Sequence, residues 1–187
     1  MANKYAFADP SIPGSENKSP PLAWKVSKKT AKKIKSFVIT IIDLHPIAEK
    51  WVHLAAVNIP PRTRSVQEGA FSGFTDLPQG TKQLMNSYGS LGYGGPFPPE
   101  GNDDHVYEIT VYGLKTADLG LSNDDALHKS FTAAELQQLF KGKVVAKGKL
   151  KGKFRIDAGM EDDAASGPMT KMVGITSAGF NSSALTI

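Results

Sequence analysis

The sequence contains no cysteine, which excludes a disulfide framework, a cysteine-ligated zinc or iron-sulfur site and a cysteine nucleophile. It also lacks any apolar run approaching the ~20 residues of a membrane span, and residues 1–14 hold no stretch apolar enough for a signal peptide. Neither export nor membrane insertion is expected, and a cytoplasmic location is. Helical periodicity is scarce, with only one segment making a good helix case. The 187 residues are enough for a single core burying roughly 70% of the unfolded surface, so the fold needs no structural metal.

Acid is missing from one stretch. Between Lys141 and Arg155 lie seven of the 22 basic residues and no carboxylate, which leaves the rest of the chain slightly acidic. The even positions Val144, Ala146, Gly148, Leu150, Gly152 and Phe154 are apolar or small, while Lys143, Lys147, Lys149, Lys151 and Lys153 are odd. This period of two predicts a strand with lysines in water, where they also discourage edge-to-edge pairing. No aromatic residue stands among the lysines to stack on bases, so no nucleic-acid partner is expected. An interaction surface for a protein, an acidic partner or nucleic acid is the alternative reading.

What is present is mostly short β-rich segments punctuated by glycine and proline. Residues 36–43 form a nearly continuous β-branched run, as does the segment 51–59, which stops at Pro60-Pro61. Residues 105–114 alternate, with His105, Tyr107, Ile109 and Val111 on one face and Glu108, Thr110 and Tyr112 on the other. Thr132 to Glu135 reads as a capping box before Leu136, Leu139 and Phe140 at helical spacing, with Gly142 just past the end. These signals predict an all-β sandwich with one or two short helices near the C-terminal part. The stretch 67–100 is long for a loop, and its last part, GSLGYGGPFPPEG, suits either a ligand-binding loop or a rigid turn. Residues 156–187 change in character to acids, Ser, Gly, Ala and Met, an extension of unassigned role beyond a domain spanning 1–155.

Three of the four histidines, His45, His53 and His105, lie in or beside these strands, and Asp43 ends the first of them. Antiparallel pairing would gather His53 and His105 with Asp43 at one rim of a sheet. A carboxylate near an imidazole favours its charged form, and imidazolium beside loop N–H groups suits an anion. Trp51 and Tyr107 share strand faces with His53 and His105 and are expected as aromatic walls. A second reading takes Asp43, His45, His53 and His105 as ligands of Zn or Fe in a hydrolase. Structural histidines without a ligand are the plainest alternative.

Several segments in order resemble the phosphatidylethanolamine-binding proteins, in the bacterial and archaeal branch called Raf-kinase-inhibitor-like. Asn17 to Trp24 (NKSPPLAW) is similar to that family's Asn-x-Ser-Pro-x-Leu-x-Trp opening, and Asp43 stands where its Asp-Pro-Asp-x-Pro box begins. His53 to Pro60 (HLAAVNIP) is similar to its His-Trp-x-x-x-Asn-Ile-Pro strand. Tyr93 to Gly101 (YGGPFPPEG), followed by His105-Val-Tyr107, resembles its Gly-Pro-x-Pro-Pro-x-Gly-x-x-His-x-Tyr signature. The resemblance implies two antiparallel sheets in a Greek-key sandwich and a non-enzymatic protein with a rim pocket for a phosphate-type anion or phosphoryl head group. Asp43, Trp51, His53, Gly95, Pro96, His105 and Tyr107 would form it. His53 and His105 would donate to phosphoryl oxygens, the loop around Gly95 would offer N–H groups, and Tyr107 would offer its hydroxyl. No cofactor and no metal are implied. Regulation of a kinase or protease, a homodimer, and a C-terminal segment gating the pocket follow by analogy. His45 replaces the box's second Asp, Leu44 its first Pro, and Leu54 the usual Trp. An imidazole in place of an acid predicts tighter anion binding at mildly acidic pH.

Overall fold

Strand β2 (Ser36–Asp43) is buried along almost its whole length because both of its faces are covered. The computed structural model describes residues 1–73 and 77–157, together with the backbone of Leu185–Thr186. In it, β2 lies at the centre of a five-stranded antiparallel sheet ordered β5–β3–β2–β6–β7. The other strands are β3 (Val52–Ile59), β5 (Lys82–Gln83), β6 (His105–Leu114) and β7 (Val144–Phe154). Phe37, Ile39 and Ile41 face inward with Leu54, Ile109 and Val111, against Trp24 and Val66 of a second sheet. Val38 faces outward with Val57 and Leu114, onto Leu136 and Phe140 of a helix. Two covered faces explain why this segment reads as an unbroken apolar run. Each large side chain buried there stabilises the fold by about 1.5–3 kcal/mol.

The second sheet is small, with β1 (Leu22–Lys25) between β4 (Ser65–Val66) and β8 (Leu185–Thr186). β4 runs antiparallel to β1, whereas β8 pairs with it in parallel, Trp24 opposite Leu185. The all-β sandwich is as expected, and this one pairing departs from purely antiparallel sheets. The long stretch of chain between β1 and β8 permits the parallel sense, which a tight hairpin would not. The expected gating by this extension falls on residues 158–184, outside the described residues.

Three short α-helices, α1 (Lys28–Ala31), α2 (Asn123–His128) and α3 (Ala133–Phe140), and two single 3-10 turns (Asn3–Tyr5 and Pro46–Ala48) accompany the strands among the described residues. α3 starts with the expected capping box, Thr132 Oγ1 accepting from Glu135 N at 3.2 Å and Glu135 Oε2 accepting from Thr132 N at 2.9 Å. It ends before Gly142 in the left-handed region. Ser122 caps α2 by accepting from Asp125 N at 2.9 Å. The single turn of α1, capped by Ser27, was not anticipated.

β7 is the edge strand that its period of two implies. Gly148 and Phe154 are buried and the lysines between them are exposed. Lys149 Nζ lies 2.7 Å and Lys151 Nζ 3.9 Å from Glu108, and Lys153 Nζ lies 3.3 Å from Asp104. These pairs agree with a solvated face.

Candidate functional site

The site is assembled where β2 ends and β6 begins. Antiparallel register sets Asp43 opposite Tyr107, so His105, two residues earlier on the same face, comes within reach of the Asp43 carboxylate. His105 Nδ1 donates to Asp43 Oδ2 at 2.6 Å, and both groups are almost fully buried. The other carboxylate oxygen, Oδ1, accepts from the backbone N–H of His45 at 2.8 Å.

His53 reaches the same place through an irregularity in β3. Ile41 pairs with Leu54 but the adjacent Ile42 pairs with Val52, which leaves His53 as an extra, unpaired residue. Such a bulge re-aims a side chain. Leu54 stays in the core between the sheets and does not line the pocket. His53 is 2% exposed, with Tyr88 and Tyr107 edge-on at ring-centroid distances of 5.6 and 5.1 Å. Its Nδ1 donates to the Gly94 carbonyl at 2.7 Å. Gly94 N in turn donates to the His53 carbonyl at 2.9 Å.

The glycine-proline segment is held from behind by the N-terminal residues. Gly95 N donates to Asn17 Oδ1 at 2.7 Å, and Phe7 N donates to the Pro96 carbonyl at 3.0 Å. A Cβ added at Gly95 would meet backbone atoms of Tyr5, Ala6 and Phe7 at 2.4 Å. Only glycine fits so close an approach. Tyr88 closes the loop with a hydrogen bond from its hydroxyl to the Gly95 carbonyl at 3.0 Å.

The resulting pocket has a volume of about 200 Å³ and is lined by Asp43, Trp51, His53, Tyr88, Phe97 and His105, with Ile47, Ala48, Pro98 and Pro99. Four of the seven expected site residues, Asp43, Trp51, His53 and His105, thus share one cavity. Gly95, Pro96 and Tyr107 do not line it. Of the N–H groups expected from the loop around Gly95, that of Gly95 is bonded to Asn17, and the Tyr107 ring lies edge-on to His53. Burial and then the neighbouring Asp43 carboxylate push that phenol's pKa up. His45 does not line the pocket either. It stacks on His105 with ring centroids 3.9 Å apart and 15° between planes.

Burial lowers the pKa of His53 to about 4, against smaller opposing effects of the Gly94 carbonyl and Asp43. With its one proton on Nδ1 and engaged by Gly94, neutral His53 offers only the lone pair of Nε2. His105 Nε2 and His45 Nδ1 are buried without a hydrogen-bond partner among the described residues, an unusual state that calls for a reason. The reading of Asp43, His45, His53 and His105 as metal ligands gains no support, since no group of three or more His, Asp or Glu among the described residues is placed to hold a metal ion.

Tyr88 and Phe97 were not singled out by sequence reasoning. Tyr88 sits in an aperiodic loop with no local signal, whereas Phe97 between Pro96 and Pro98 was a visible oddity. Around the mouth, Trp51 and Phe97 are about 40% exposed and Ile47 61%, giving the pocket an apolar collar.

A two-sheet sandwich with a small, mostly apolar cavity at one rim that holds two buried histidines and an aspartate defines the class, and the comparisons supply the family. The chain belongs to the phosphatidylethanolamine-binding protein family, whose sequence model matches residues 1–155. The UPF0098 protein YbhB of Escherichia coli is 38% identical over 100 residues, covering 53% of this chain and 61% of that protein. A UPF0098 protein of Methanothermobacter thermautotrophicus is 34% identical over 143 residues, 75% of this chain and 84% of the relative. The crystal structure of Escherichia coli YbcL, described as a new member of the mammalian PEBP family, matches with a TM-score of 0.70 at 27% identity, covering 83% of this chain and 90% of that one. The chain spans about three-fifths of the length of the two Escherichia coli relatives it matches. No helix among the described residues is long and apolar enough to cross a membrane.

Proposed function

We propose that this chain is a non-enzymatic binding protein whose rim pocket takes a small phosphate-type anion or phosphoryl head group. The observation that carries this reading is the meeting of the Asp43–His105 pair and His53 in one cavity of about 200 Å³. In this reading Asp43 orients His105, His105 and His53 address the ligand, and Trp51 is a wall. Gly95, Pro96 and Tyr107 act one layer behind them, keeping the loop and the imidazoles in place. Regulation of another protein, a cytoplasmic location and a homodimer belong to the same proposal, by analogy with the family.

The test is titration of inorganic phosphate into the isotopically labelled protein, followed by NMR. Saturable shifts confined to Asp43, Trp51, His53, Tyr88 and His105, abolished by His105→Ala in a folded variant, are expected. Absence of saturation, or shifts centred on the β7 lysines, would overturn the assignment.

A further inference from the structure

Charge is spread unevenly over the two ends of the sandwich. No carboxylate occurs in residues 17–42, 50–67, 109–117 or 136–156, and parts of all four runs meet at the end opposite the pocket. Lys25, Lys28, Lys29, Lys32, Lys33 and Lys35 lie where β1 leads through α1 into β2, and all are exposed. Lys35 N donates to the Leu114 carbonyl at 2.7 Å and Lys115 N to the Lys143 carbonyl at 2.9 Å. The start of β2, the end of β6 and the start of β7 thus lie side by side, each with a lysine. Trp24 N donates to the Arg64 carbonyl at 2.9 Å, which brings Arg62 and Arg64 to the same end.

These cations are anchored and uncompensated. Ile34 is buried and packs so closely on Gly113 that a Cβ there would meet its Cδ1 at 2.5 Å. Ser27 caps α1, and Ser36 Oγ donates to the Thr116 carbonyl at 2.7 Å. Lys28 and Lys32, and likewise Lys29 and Lys33, are four residues apart along α1 and the turn after it, where like charges repel. Among the described residues the lysines between 25 and 35 form no ion pair, whereas on β7 Lys149, Lys151 and Lys153 are paired with Glu108 and Asp104. Asp118, a carboxylate at this end, accepts from Asn58 Nδ2 at 2.8 Å and Gly120 N at 2.9 Å and pairs with no lysine. Repulsion held on an anchored surface suits a polyanion that relieves it.

The residue types narrow the partner. Lysine is a hydrated point charge without the fork of arginine, suited to a run of phosphates rather than to clasping one carboxylate. A lipid surface is gripped by aromatic and other apolar side chains set among cations, but Ile47, Trp51 and Phe97 are exposed at the other end. The missing aromatics also speak against single strands, whereas a duplex keeps its bases stacked on one another and presents phosphates. We propose that this lysine-rich end docks on the phosphate backbone of double-stranded nucleic acid. The single turn of α1 is too short to lie in a groove and read base edges, so the contact is indifferent to sequence. The length of β2 sets the pocket about 23 Å away, and the inference does not depend on what the pocket binds.

Fluorescence anisotropy of the full chain with a labelled duplex of arbitrary sequence, in a salt series, tests it. Affinity should fall about 10³-fold between about 50 and 200 mM salt, as for roughly six phosphate contacts. Combining Lys28→Gln, Lys29→Gln, Lys32→Gln and Lys33→Gln should lower the salt slope by about four, one for each contact, and weaken binding at least about tenfold. All four side chains are exposed, and circular dichroism checks that the fold is kept. Should it be lost, Lys32→Gln with Lys33→Gln, expected to lower the slope by about two, takes its place. Combining Lys147→Gln, Lys149→Gln and Lys151→Gln on β7 should change affinity by less than about threefold, since salt screens charges more than about 10 Å away. No binding at about 50 mM salt, an affinity indifferent to the α1 substitutions, or a loss produced by the β7 substitutions instead overturns the inference. Tighter binding to the single strand, or to vesicles of phosphatidylglycerol and phosphatidylcholine, overturns it as well and assigns the surface to unpaired strands or to lipid.

Discussion

The centre and the rim of the five-stranded sheet are built from the same three strands, β2, β3 and β6, yet they answer to different demands. At the centre, Phe37, Ile39, Ile109 and Val111 are apolar, fully buried and packed from both sheets. At the rim the same strands end in Asp43, His53 and His105, equally buried but polar, with one nitrogen of His105 left unpartnered. A buried polar atom without a partner costs about 1–3 kcal/mol. The difference teaches that the centre serves stability and the rim spends some of it, a pattern found where local rules yield to function.

The largest effect expected is at the centre. Phe37→Ala removes a fully buried ring packed edge-on to Trp24 and should lower stability by about 3–5 kcal/mol in urea denaturation, with phosphate affinity of the folded fraction unchanged. An altered affinity would blur the division between the two regions.

Next comes the acid limb of the stability curve. The folded-state pKa of His53, about 4, lies below its ordinary 6.5, so the unfolded chain takes up this proton first. Stability from this group is complete above pH 6.5 and is lost as pH falls toward 4, by on the order of 3 kcal/mol. His53→Gln, which does not titrate, should flatten that limb; an unchanged limb in the variant assigns it to other groups.

Asp43→Ala removes the acceptor of His105 Nδ1 and of His45 N and should cost about 1–3 kcal/mol while abolishing phosphate binding. A loss as large as that of Phe37→Ala would place the rim among the main supports of the fold. Thr132→Ala, at the α3 cap and far from the rim in sequence, should cost about 1 kcal/mol with ligand affinity intact. Lys149→Ala should change stability by less than about 1 kcal/mol, because its pair with Glu108 is partly exposed. A salt-dependent change in phosphate affinity from that variant would tie the lysine strand to the site.

The strands, the α3 cap and the lysine edge were legible because their signals are local. Alternation in residues 105–114 and the Thr132–Glu135 box depend on neighbours a few positions away. The rim was legible in part: Asp43, His53 and His105 stood at strand ends that antiparallel pairing had to bring together. That Gly95 and Tyr107 stand outside the cavity lining was not legible, since a glycine-proline motif does not say which N–H groups are free. Tyr88 was missed for want of any periodic signal in its loop.

By itself, then, the amino-acid order determined which segments become strands, which faces are apolar and which imidazoles lie near an acid, since backbone periodicity and side-chain chemistry act over short stretches of chain. Tertiary structure alone decided that Gly94 takes the His53 proton, that Asn17 takes the Gly95 N–H, and that His45 stacks behind His105. The first two are hydrogen bonds between residues 41 and 78 positions apart. A donor's partner at that separation is set by how the sheets and the loop pack, and the direction in which the pocket's hydrogen bonds point is set with it.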